Sequence, residues 1–178
     1  SDVDSNKMVI VKKQNKFGLI TLDEQLILPT QYDYITLCTN GIYLLVKNNL
    51  YGFYNLKEKC FITYLDFNYN PALKPEEYTN GKQFKLIKDK EVALVDINGK
   101  QTISFGTYSN IFFAKNDIIP IQKNQKFGYL DRKLKNITPA EFEDATDFEN
   151  NSAVVTKNET CQIIDKQGKA IYTLKDGE

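Results

Sequence analysis

Histidine and tryptophan are absent from this chain of 178 residues, and methionine occurs once. Without histidine the chain lacks the commonest general base, the usual partner of a serine or cysteine nucleophile, and most transition-metal sites. The three cysteines, Cys38, Cys60 and Cys161, lie far apart with no C-x-x-C spacing. They form neither a disulfide framework nor a zinc site, and read as small hydrophobes. No run reaches 18 apolar residues, so no transmembrane helix is expected. There is no charge surplus either: 23 basic residues balance 23 acidic ones. That disfavours nucleic acid or an anionic membrane as the main partner, since both call for a basic patch. G-x-G-x-x-G, P-loop, H-E-x-x-H and G-x-S-x-G patterns are all missing, so no cofactor, metal or catalytic residue is expected. No signal peptide is visible. The start SDVDSNK reads as trimmed, which leaves a removed signal open.

What the chain does contain is repetition. It is 42% hydrophobic with 11 Tyr and 11 Phe, enough to bury a core. The windows 17–21, 51–55, 92–96, 127–131 and 161–165 read FGLIT, YGFYN, VALVD, FGYLD and CQIID, with starts 34, 41, 35 and 34 residues apart. The residues after them align without gaps: LDEQ, LKEK, INGK, RKLK, KQGK, then LILP, CFIT, QTIS, NITP, AIYT. Self-similarity at one period over most of a chain decides architecture before local propensity does.

Each unit reads as short strands. An apolar–Lys strand (IVKK, LVKN) leads through a polar turn (QN, NN, KD, NQ, KN) into the motif strand. A second turn follows, with Asn98-Gly99 the strongest hairpin signal. A third strand is expected to end at Pro29 and Pro139, because proline has no N–H for a ladder. An aromatic-x-x-apolar stretch comes next: Tyr32–Ile35, Tyr108–Ile111 and Phe142–Ala145. The weak helical candidate is PEEYTNG at 75–81. In the motif strand Phe17, Leu19 and Thr21 share one face, and Gly18, Ile20 and Leu22 the other. Both faces are partly apolar, so this strand is expected at the centre of each unit. Glycine at Gly18, Gly52 and Gly128, with Ala93 in the third unit, is read as a site of close passage by backbone or by a neighbouring side chain, such as an aromatic covering the bare glycine, and so as a packing device rather than a ligand site.

These residues resemble a known family. Lys16-Phe17-Gly18, Tyr51-Gly52 and Lys126-Phe127-Gly128, in their frame of apolar–Lys strand, Gly/Asx turn and I-x-P-x-x-aromatic segment, look like divergent WG (KWG) repeats with Phe or Tyr in place of Trp. The third and fifth units keep only the frame. The resemblance covers about residues 8–173. It implies a bacterial protein, exported or surface-associated rather than cytoplasmic, that serves as an interaction module without catalytic residues. The expected fold is all-β: about five tandem antiparallel hairpin repeats of about 34 residues. One unit cannot bury both faces alone, so the units must stack. An open array is favoured over a small propeller-like ring, because about 40–50 residues is usual for a propeller blade. Units are placed at 8–41, 42–81, 82–117, 118–151 and 152–174, between tails at 1–7 and 175–178.

Three functions follow as expectations. The first is a non-enzymatic protein-binding module. The second is a carbohydrate- or cell-wall-binding module, which requires two or three aromatics exposed on one face. The third is a hydrolase using a carboxylate pair from Glu141, Glu143, Asp144, Asp147 and Glu149. It requires a cleft and one raised pKa. That acidic cluster lacks the order of a calcium loop and reads as a solvated strand end. One stretch breaks the period: DFNYNPALKPEEYTNG, 66–81. Insertions in repeat proteins map to loops on one face, often the binding face. Phe67, Tyr69 and Tyr78, expected to be exposed, with Glu76 and Glu77, are therefore the candidate contacts for a partner protein, with a glycan as the alternative ligand.

Overall fold

The computed structural model describes residues 7–113 and 117–174. Most of both expected tails (1–6 and 175–178), and residues 114–116 of the third sequence unit, lie outside the described residues. The described residues form five antiparallel sheets and no closed barrel. The first contains β1 (Met8–Lys13), β2 (Lys16–Thr21) and β3 (Leu26–Tyr32). The second contains β4 (Tyr34–Thr39), β5 (Ile42–Lys47), β6 (Leu50–Asn55) and β7 (Cys60–Asn68). A one-turn helix, α1 (Pro75–Tyr78), stands at the expected PEEY segment. The third sheet contains β8 (Gln83–Lys88), β9 (Glu91–Asp96) and β10 (Gln101–Tyr108). The fourth contains β11 (Asn110–Ile111), β12 (Ile119–Lys123), β13 (Lys126–Leu130) and β14 (Asn136–Phe142). The fifth contains β15 (Asp144–Ala145), β16 (Ser152–Lys157), β17 (Thr160–Asp165) and β18 (Ala170–Thr173). Strands pair in chain order, and the motif strands β2, β6, β9, β13 and β17 are each interior to their sheet, as expected.

Two kinds of turn make this pattern. The hairpin leading into each motif strand has two loop residues at positive φ: Gln14-Asn15, Asn48-Asn49, Asp89-Lys90, Asn124-Gln125 and Asn158-Glu159. Such turns match the twist of the flanking strands, and Asn and Asp tolerate the left-handed region best. The turn after each motif strand is longer. Its first residue is Thr21, Asn55, Asp96, Asp131 or Asp165, the last of each motif window. The side-chain oxygen of each accepts a backbone N–H from within the turn, as at Asp96 from Asn98 (2.9 Å) and Lys100 (3.0 Å). The hairpin turn expected at Asn98-Gly99 thus forms as an Asx-type turn closed by Asp96.

The sheets are offset from the sequence units. Tyr32, Tyr108 and Phe142 end one sheet, and Ile35, Ile111 and Ala145 lie in the outer strand of the next. The aromatic-x-x-apolar stretch is a corner. Asp33, Ser109 and Glu143 sit at it, and their N–H groups donate to Val46 O (2.8 Å), Gln122 O (2.8 Å) and Thr156 O (2.9 Å).

The motif glycines face a wide bulge. Phe17 pairs with Tyr32 and Leu19 with Leu28, so two steps along β2 match four along β3. Tyr51/Phe67 and Phe53/Thr63 repeat this, as do Phe127/Phe142 and Tyr129/Thr138. The bulged backbone folds over the glycine. A Cβ on Gly18 would lie 2.7 Å from Leu28 O, and one on Gly52 2.5 Å from Thr63 O. Gly128 is overlaid in the same way by Pro139 O. Backbone, rather than an aromatic, covers the glycine. Pro29 and Pro139 do not end their strands. They lie in this bulge, where no ladder N–H is needed, and β3 and β14 run on to Tyr32 and Phe142.

The chain divides into two compact units: Ser1–Asp89 with Leu94–Ile103, and Lys90–Ala93 with Ser104–Glu178. In the first, Leu19, Leu28 and Tyr32 of the first sheet pack against Tyr43, Leu45, Tyr54 and Leu56 of the second sheet and its following turn. In the second, Tyr129 and Phe142 pack against Phe148, Ala153, Val155 and Ile164. At about 1.5–3 kcal/mol per fully buried large apolar side chain, such faces account for the stacking of units that cannot bury their surface alone.

Candidate functional site

The corners of the repeat hold a charged device. Lys16 of the motif pairs with Asp33 at the corner, and Lys126 pairs with Glu143. The Asp33 carboxylate also accepts the Asn48 N–H (2.7 Å) from the turn of the next sheet. Lys16 first, then this N–H, holds Asp33 below its ordinary pKa. Glu143 is held low chiefly by Lys126, with the Asn158 N–H contributing. In the second unit Leu50 replaces the lysine and neutral Asn68 the acid, and Asn68 Oδ1 still accepts the Asp89 N–H (2.9 Å). The lysine and the acid are lost together, and the turn contact remains. The motif lysine is therefore a corner clamp.

The acidic cluster is partly absorbed by the same architecture. Glu143 belongs to a clamp, and Glu141 pairs with Lys157 at 2.8 Å. Asp144 accepts its neighbour's N–H from Ala145 (2.9 Å). Asp147 and Glu149 line an open groove with Thr146, Asn150 and Ser152. Asp33, Asp131 and Glu143 are all shifted downward, opposite to what a general acid needs. No group of three metal-ligating side chains exists among the described residues.

The 66–81 insertion is folded onto the second sheet rather than held open. Tyr78 is fully buried, which corrects the exposure expected for it. Its ring packs on Tyr51 at 4.8 Å, and its hydroxyl accepts Asn70 N–H (2.9 Å) and donates to Asn70 O (2.8 Å). Burial pushes this hydroxyl up to about 12. Tyr69 is half-buried, stacked on Tyr78 at 6.2 Å. Phe67 is half-buried against Tyr51 at 6.0 Å, so neither aromatic is the free surface expected. Glu77 is half-buried, and its Oε2 accepts the Lys74 N–H (2.8 Å), a capping role for α1. Of the five candidates, Glu76 alone is exposed. Beneath the insertion Lys85 is buried, and desolvation lowers its pKa to about 8 against the opposing pull of Glu77.

Exposed aromatics lie elsewhere on the second sheet. Tyr64 is 77% exposed and Tyr34 40% exposed. Tyr64 occupies the bulge position that Pro29 and Pro139 hold in the first and fourth sheets. It stacks on Phe61 at 5.7 Å, which packs on Tyr54 at 5.4 Å. Tyr34 contacts Tyr69 at 6.2 Å, at the margin of the insertion. The ungapped repeat hides Tyr64: with CFIT set against LILP, Thr63 falls on the proline column, whereas in the structure Phe53 pairs with Thr63 as Leu19 pairs with Leu28, one residue out of step. Alternation through Tyr64, Asp66 and Asn68 marks the same solvent face.

This is a tandem β-repeat protein. Two segments, 17–51 and 127–161, match the family model described as WG containing repeat. No curated protein matches the chain. Among solved structures it is similar to Kluyveromyces lactis Hsv2, at 9% identity over 95% of this chain and 60% of that one, with a TM-score of 0.48. The C-terminal WD40 domain of Sif2 matches at 10% identity over 96% and 56%, with a TM-score of 0.40. A eukaryotic initiation factor matches at 11% over 94% and 52%, with a TM-score of 0.48. The chain spans less than two thirds of the length of each.

Proposed function

We propose that the protein is a non-enzymatic module for protein–protein interaction, of an exported or surface-associated bacterial protein. One observation carries the reading. Where two sheets present a rigid proline at the motif bulge, the second presents Tyr64, 77% exposed and backed by Phe61. Bulges re-aim side chains, and tyrosine offers large contact area at low entropic cost. The repeat's recurring residues support it by contrast. Glycine, lysine and corner acid are each occupied by packing or pairing within the chain. What varies between units is what projects outward.

The test compares partner capture by the intact chain with capture by Tyr64→Pro, using lysate of the source organism and of its host or neighbours. The reading expects a partner held by the intact chain and lost by the variant. Equal capture by both removes Tyr64 from the interface. Capture by neither overturns the reading. A carbohydrate-binding role is the second reading, favoured by the stacked Phe61–Tyr64 pair, which can serve as a sugar platform. A glycan array that binds the intact chain and not Tyr64→Pro would select it.

A further inference from the structure

Four sheets receive an outer partner from the segment before them. β4, β11 and β15 pair with β5, β12 and β16. On β8 the same position is held by the bridge from Thr79 to Phe84. The first sheet has no such partner among the described residues, and β1 forms its outer edge.

We propose that the outer edge of β1 accepts an extended segment of another polypeptide, with the chemistry of this chain's own corners: an aromatic, an acid, then alternating apolar residues. This deepens the interaction reading and rests on it. Register follows from the internal copies. In the second sheet Leu45 stands opposite Gly52 on one side and Ile35 on the other. Val11 stands opposite Gly18 and is its counterpart. An incoming Tyr-Asp-Tyr-Ile-Thr-Leu segment then sets its Ile opposite Val11 and its Leu opposite Val9. Its Asp N–H donates to Lys12 O, as Asp33 does to Val46 O. Its carboxylate takes the Gln14 N–H, as Asp33 takes that of Asn48.

Charge and exposure fit this occupant. Lys12 and Lys13 are exposed at the end of β1 where that carboxylate would arrive. Val9 is 37% exposed, whereas its counterparts Tyr43, Phe84, Ile119 and Ala153 are all buried. Main-chain pairing at an exposed edge gives affinity, and the side-chain pattern gives selectivity.

The test is titration of the full-length, isotope-labelled chain with a peptide of residues 32–39 carrying Cys38→Ser, read by NMR. Saturable shifts at the amides of residues 9–14 are expected. The same peptide with Asp33→Ala should bind about tenfold more weakly, as loss of a charge-assisted hydrogen bond implies. Lys12→Pro on the chain, which removes an outward N–H, should abolish binding. Lys12→Asp/Lys13→Asp, a surface change that leaves β1 and β2 paired, should weaken it at least as much as Asp33→Ala. Absence of binding, shifts confined to other strands, or binding indifferent to both variants would overturn the proposal. Partner capture that survives Lys12→Pro and fails with Tyr64→Pro would overturn the edge proposal alone and leave the interaction reading standing.

Discussion

The fourth and fifth sheets are built from units of the same frame, yet one carries Gly128 and the other Gln162 at the same motif position. In the fourth, two steps from Phe127 to Tyr129 match four on β14, and the bulge at Pro139 lies over the glycine. In the fifth, Gln162 and Ile163 pair with Thr173 and Tyr172 in plain register. Where the side chain is present the wide bulge is absent. The smaller irregularity near the turn, between Ile163 and Ile164, persists without glycine. The glycine of the repeat is therefore tied to one event, the passage of bulged backbone across the central strand.

The largest effect that would break this comparison comes from adding a methyl group. Gly128→Ala should cost about 2–3 kcal/mol, since its Cβ meets backbone that cannot rotate away. Gly52→Ala should cost a similar amount. Gln162→Ala should stay within about 0.5 kcal/mol, as expected away from such features. Urea denaturation of the three variants measures this, and equal losses at 128 and 162 would sever glycine from bulge.

Next comes the insertion of the second unit, which no other unit shares. Tyr78→Phe keeps the ring on Tyr51 and strands the Asn70 backbone groups, at about 1–2 kcal/mol. Thermal unfolding would show it, and an unchanged midpoint would mean that the loop is held by its other contacts.

The corner clamp gives a smaller effect whose sign is set by pH. Glu143 titrates below its ordinary value in the folded state. Its contribution is thus present above the unfolded pKa and lost as pH falls through the folded one. Lys126→Met should match the parent chain below that window and fall short of it near neutrality. The second unit, with Leu50 and Asn68 instead, should show no such acid-side difference when Leu50 is changed. Stability measured from pH 2 to 7 tests both.

The smallest expected stability change is at Tyr64. Because Pro29 and Pro139 occupy its position, Tyr64→Pro should be tolerated within about 1 kcal/mol. A loss of several kcal/mol would show that the second bulge differs from the other two.

The five-unit array, the hairpins and the central place of the motif strand were all legible, because period-2 alternation and a fixed repeat are local properties. So was the packing role of glycine, though the covering group was taken to include an aromatic. The bulge itself was hidden. Proline is excluded from a regular ladder and accepted in a bulge, and the residue alone does not say which. The corner was hidden for another reason: the pairing partner of Ile35 is a tertiary fact, set by where Tyr32 is buried. Tyr69 and Tyr78 were assigned to a surface because insertions in repeat proteins usually lie there. The apolar area of Tyr51 and Phe67 pulled them inward instead. Tyr64 was missed because the second unit carries one extra residue before its bulge, so that Thr63 stood in the proline column and Tyr64 outside it.

The most direct test of the central claim, that units share their packing devices and differ in what they present, is partner capture by the intact chain beside Tyr64→Pro, with unfolding curves for both. The account predicts nearly coincident unfolding and loss of the partner from the variant alone. Retention of the same partner by a folded Tyr64→Pro chain would contradict it.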